Sequence, residues 1–209
     1  MKIFKLLFTF ALLSISLNTF AQHELSEEDK VELQNRVKLK VEEFQGYLSD
    51  IVNTKLSDNQ RKNQITAALA LFIGKGQDYT VVNEYGEREN RKAVRMQLSS
   101  LNGSTRWLAM TKYLNNQYSN VHKYGKVVIQ SADAVRVDNI HKTADGKYEA
   151  VAYFCQKYVA FRENRIVYSD VTSKKVKVYV DAIEIPGGGV VWDAKLGDVY
   201  VTSTNPLGK

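Results

Sequence analysis

The chain has 209 residues, 29 Lys and Arg against 23 Asp and Glu, a formal charge of +6, and one cysteine, Cys155. The basic residues are mixed with acids throughout, and no run exceeds Lys174-Lys175-Val176-Lys177; this excludes the concentrated basic stripe of a nucleic-acid binder. A single cysteine excludes a disulfide framework, so packing alone must hold the fold, and within an apolar strand Cys155 reads as a small packing residue.

The first segment reads as a secretory leader. Met1-Lys2 and Lys5 give a basic start, Leu6–Leu17 is a mainly apolar stretch, and Thr19-Phe20-Ala21 places small residues where a signal peptidase needs them. The apolar stretch is short for a membrane span of ~20 residues. Residues 1–21 are therefore expected to be a signal peptide cleaved before Gln22, with residues 22–209 as one exported domain. Retention of the leader as an anchor is the alternative. Loss of Lys2 and Lys5 with the leader lowers the formal charge from +6 to +4.

Ser26 is an N-cap followed by Glu27, Glu28 and Asp29, whose charges suit a helix N-terminus. Leu33, Val37, Val41, Phe44, Leu48 and Ile51 then recur at helical spacing and predict a long helix with one buried stripe. Gly46 inside it predicts a bend or a close crossing. Ser57 and Gln60 have capping-box spacing before a second helix, with Ile65, Ala68, Leu69, Phe72 and Ile73 as its apolar face and Gly74 as its stop. Tyr79–Val82 reads as a short strand, Tyr85-Gly86 as a turn, and Ala93–Leu101 as an alternating strand. Asn102-Gly103-Ser104 is expected to break that strand and cap a third helix, with Trp107, Met110, Tyr113 and Leu114 on its face, ending near Tyr118.

The remainder reads as sheet: strand-like segments at 124–140, 147–162, 165–185 and 190–202, joined by short turns, make an antiparallel meander. Slips of alternation near Ser131–Ala134 and Ser173–Lys175 predict β-bulges. The fold class is α+β, three helices against an antiparallel sheet in the order ααββαββββ.

That order over residues 25–202 resembles the nuclear-transport-factor-two-like superfamily. The resemblance implies a strongly bent sheet wrapped around the helices as a cone with an open end. Tyr168-Ser169-Asp170-Val171-Thr172 and the segment Trp192–Val201 also resemble small exported proteins of Bacteroidetes-type bacteria. Members of the superfamily include isomerases, dehydratases, ligand binders and periplasmic subunits of secretion machines, and the fold alone does not choose among them.

The chemistry-bearing residues narrow the choice. His23, His122 and His141 are scattered without Cys or acidic partners at ligand spacing, so no metal is expected. Gly187-Gly188-Gly189 joins two strands with no helix to receive an anion, and no G-x-S-x-G elbow occurs. No cofactor is expected. On the strand 147–162, the face Tyr148, Ala150, Ala152, Phe154, Gln156, Tyr158 and Ala160 carries no charge and should point at the helices. Gln156 there must find a partner or a ligand. Tyr168, Asp170 and Thr172 share one side of the next strand.

Asp170 is the candidate base or ligand anchor, with Gln156, Tyr158 and Tyr168 as donors, and with Arg106 and Tyr113 of the third helix reaching the same mouth. A plain structural role, Asp170 holding a turn or pairing with Lys174, stands beside it. The expected function is a non-enzymatic binding or interaction module of the periplasm or cell exterior. It would take a small ligand or a protein partner, bind no nucleic acid, insert in no membrane after cleavage, and pair as a homodimer through the outer sheet face. A small pocket enzyme of isomerase or dehydratase type, or a subunit of an envelope secretion machine, is the alternative.

Overall fold

A computed structural model describes residues 24–82, 85–187 and 189–207. The leader, the cleavage point before Gln22 and His23 lie outside the described residues.

Helix α1 spans Glu27–Ile51, and Ser26 and Asp29 form a reciprocal capping box at its start. All six residues of the predicted stripe are buried. Gly46 is exposed, with no atom within 4 Å of where a Cβ would stand, so the close crossing expected there is absent. Helix α2 spans Asp58–Ala70 and opens on the Ser57–Gln60 capping box. It stops before Gly74, because Leu71 caps it and a short 3-10 turn over Ile73–Gly76 carries Gly74 at φ +70°.

Strands β1 (Tyr79–Val82) and β2 (Arg88–Arg91) form a separate hairpin. Strands β3 (Arg95–Ser99) and β4 (Thr105–Ala109) pair antiparallel around the Ser100–Ser104 turn. Helix α3 follows without a loop at Met110–Tyr124. This corrects the predicted helix start: residues 105–109 are strand, and the helix runs on to Tyr124. The 107/110/113/114 spacing fits a helix, but Trp107 points to the outer face, edge-on to Tyr200 at 5.1 Å.

The expected strand at 124–140 is three short ones, β5 (Lys126–Ser131), β6 (Arg136–Val137) and β7 (His141–Lys142), all paired to β8 (Tyr148–Arg162). The slip at Ser131–Ala134 is thus a loop. Strands β9 (Arg165–Glu184) and β10 (Val190–Pro206) complete the meander. Strand β9 keeps its alternation of burial through Ser173–Lys175. The irregularity there belongs to β10, between Val201 and Ser203, with a second between Leu196 and Val199.

The large sheet runs β4-β3-β10-β9-β8-β5 and is antiparallel except where β3 meets β10. It is open, yet α3 packs against β3 and β4 at one edge and against β5 and β8 at the other, so the sheet curls around the helices. The fold is α+β as expected, with three helices among the described residues. Aromatic side chains occupy its centre: Phe44 lies edge-on to Phe72 at 5.0 Å and to Phe154 at 6.3 Å.

Candidate functional site

The inner faces of β8 and β9 change character at the same rung. Along β9 the buried inward positions read Val180, Val178 and Val176, then Lys174, Thr172 and Asp170. On β8 they read Ala150, Ala152 and Phe154, then Gln156, followed by the half-buried Tyr158. Phe154 pairs with Lys174, Gln156 with Thr172, and Tyr158 with Asp170. One half of the concave surface is therefore apolar and covered by helices, and the other half is polar.

Above the polar half lies a cavity of about 620 Å³, bounded by α3, the β3–β4 turn and the inner faces of β8 and β9. This volume is within the range of small-molecule sites, roughly 300–1,000 Å³. Gln156, Tyr158, Tyr168, Asp170, Arg106 and Tyr113 all line it. Arg106 reaches it from β4, not from the third helix, and it is exposed at the rim.

Five polar residues of the wall are almost fully buried: Gln117 of α3 at 7% exposure, Gln156 at 4%, Asp170 at 6%, Thr172 at 7% and Lys174 at 5%. Their bonds form two groups. The Lys174 Nζ donates to Gln156 Oε1 at 2.7 Å, and Gln156 Nε2 donates to the Tyr113 hydroxyl at 3.4 Å. The ammonium also sits 5.6 Å from the centre of the Tyr113 ring. In the second group, Asp170 accepts from the Tyr168 hydroxyl at 2.6 Å and from the Thr172 hydroxyl at 3.4 Å. Asn120 of α3 donates to the Tyr158 hydroxyl at 3.3 Å, and the Tyr158 and Tyr168 rings meet edge-on at 5.9 Å.

Among the described residues no ion pair joins Asp170 to Lys174 or to any other cation. The pairing with Lys174 considered as a structural role is therefore not formed. Burial pushes the Lys174 ammonium down from its ordinary value to about 8, with the Asp170 charge acting the other way. Burial also pushes the Tyr113 phenol up to about 12, with Asp170 adding to that rise while the Gln156 bond opposes it. Tyr158 and Tyr168 are raised, first by burial and, for Tyr168, next by its bond to Asp170. At neutral pH the wall thus presents protonated phenols, amides and an ammonium as donors.

Lys174 is the wall residue that sequence reasoning treated only as a partner for Asp170. Its signal was its place on the inward side of β9, two residues beyond Thr172. Asn120 lies beyond the expected helix end near Tyr118, whereas Gln117 lies inside it, four residues after Tyr113 on the same face, a spacing that could have found it. Cys155 is half-buried on the outer face, 3.3 Å from the Ser173 hydroxyl. Among the described residues no group of three His, Cys, Asp or Glu is placed to hold a metal ion, and no helix is long and apolar enough to cross a membrane.

No protein-family model matches the chain, and no curated protein matches its sequence. A solved structure, Aln2 from a Streptomyces species, is similar at 8% identity with a TM-score of 0.36, over 86% of this chain and 93% of that one. A likeness that distant carries no functional inference.

Proposed function

We propose that this chain is an exported binding module of the nuclear-transport-factor-two-like cone type, acting in the periplasm or outside the cell and holding a small ligand in its cavity. The observation that carries this reading is the convergence of five nearly fully buried polar side chains on one cavity of about 620 Å³. Polar groups at that depth cost free energy unless they are bonded, and an ammonium has three donors, of which Lys174 uses one on Gln156. A bound ligand would engage the rest. Pairing of two copies through the outer sheet face belongs to the same proposal.

The test compares protein purified natively with protein unfolded, dialysed and refolded. Native mass spectrometry should show an adduct that refolding removes, with a lower Tm in the refolded sample. Identical masses and identical Tm values would contradict the reading.

A pocket enzyme of isomerase or dehydratase type is the second reading. It is favoured by Asp170, a carboxylate shielded to 6% exposure with a phenol 2.6 Å away. In that case Asp170→Asn would abolish turnover while leaving ligand retention measurable.

A further inference from the structure

The cavity wall carries two opposite charges that act on each other across the cavity but form no ion pair. The Lys174 ammonium meets a neutral amide oxygen and the face of a ring, with no carboxylate within 4.0 Å among the described residues. The Asp170 carboxylate meets two hydroxyls and no cation. Both side chains are more than nine-tenths buried. A buried charge without a counter-charge is costly, and a ligand that supplies the counter-charge gains that interaction in a shielded setting.

Each pole has capacity left. An ammonium has three donors, and an ionised carboxylate has about four acceptor sites. One donor of Lys174 and two sites of Asp170 are used within the protein. The Gln156 side chain is fixed by its bond to Tyr113, which turns its oxygen to Lys174 and leaves the ammonium no ionic partner. Between the poles stand Thr172 and, paired with it on β8, Gln156, while Tyr113, Tyr158, Leu98 and Val201 give the cavity ring and aliphatic surface.

We infer that the ligand is a small zwitterion of amino-carboxylate type, its carboxylate on Lys174, its ammonium on Asp170 and its apolar body against the tyrosine-lined wall. This rests on the binding reading above and names its ligand class. The two charges sit on alternate inward positions of one strand, Asp170 and Lys174 flanking Thr172. A ligand with only one charge would leave the other pole unmet. The exposed Arg106 at the rim lies in solvent, where it steers an approaching carboxylate more than it holds it.

The experiment is a calorimetric titration of the refolded protein with each proteinogenic amino acid, followed, for the tightest binder, by its decarboxylated amine and its deaminated acid. Both one-charge analogues should bind at least ten-fold more weakly than the amino acid. Lys174→Met should lose the preference for the amino acid over the amine, and Asp170→Asn the preference over the acid. Circular dichroism checks that each variant is folded, and either variant alone decides the matter. Equal binding of the amino acid and one analogue would overturn the inference, as would no amino-acid binding at millimolar concentration. If the natively purified protein instead carries a neutral molecule, the binding reading stands and this inference fails. If it carries nothing and binds nothing, both fail.

Discussion

Lys174 shows most directly how position sets chemistry. An ordinary lysine on a strand keeps its charge in water, but this one follows the inward side of β9 and is held in the wall by Gln156. Its lowered value fixes a pH signature. Between about 8 and 10.5 the unfolded chain holds a proton on this residue that the folded chain does not. Stability therefore rises with pH across that window, and below about 8 the penalty for the buried charge is present in full. The contribution is about 3 kcal/mol across the window. Lys174→Met removes that penalty but leaves Gln156 Oε1 without its donor, a cost of about 1–3 kcal/mol, so any advantage over the parent is largest at pH 7 and below. The gap should narrow as pH rises towards 10.5, as measured by urea unfolding at several pH values. The neighbouring Tyr113→Phe should cost about 1–2 kcal/mol because Gln156 Nε2 loses its acceptor.

Among elements, the helix pair is tied by a residue that periodicity does not reveal. Arg61 of α2 is buried, donating from Nε to the Ile51 carbonyl at 2.8 Å and from Nη2 to the Tyr118 carbonyl at 3.1 Å. One guanidinium thus joins the end of α1 to α3, with the Tyr118 ring 4.4 Å away. Arg61→Met should cost about 2–4 kcal/mol in denaturant unfolding by leaving those carbonyls without a charged donor. Arg61→Lys should restore little, since one ammonium does not reproduce the planar fork. Gly46 behaves in the opposite way. It is exposed with open space at its Cβ position, so Gly46→Ala should stabilise the protein by roughly 0.5–1 kcal/mol through helix propensity alone. Gly197 in β10 is under a real constraint: a Cβ there would stand 2.6 Å from Tyr179 Cε2, beside the irregularity that bends the strand.

At the scale of the molecule, the long elements were legible in the sequence and the short ones were not. Helix α1 and strand β8 are long enough for their period to be unambiguous, and their faces lie where the pattern puts them, whereas β9 runs unbroken through the slip expected at Ser173–Lys175. Strand β4 was read as helix because Trp107, Met110, Tyr113 and Leu114 match a helical stripe whose first member belongs to a strand. The break of β5, β6 and β7 was hidden for a similar reason, since two-residue strands have no period. The six candidate site residues line one cavity: alternation puts Gln156, Tyr158, Tyr168 and Asp170 on the inner face of β8 and β9, while Tyr113 joins them from α3 and Arg106 from β4. What alternation does not give is which charged residues lack an ion pair after folding, and among the described residues Lys174 is such a one, bonded only to the Gln156 amide. Everything functional proposed for this chain depends on the cavity being a ligand site. Native mass spectrometry of the protein from its host's own envelope fraction, parent beside Lys174→Met, tests this most directly. The expected result is a mature chain beginning at Gln22 that carries a small adduct, absent from the variant. A bare chain in both, or an adduct untouched by the substitution, would contradict it.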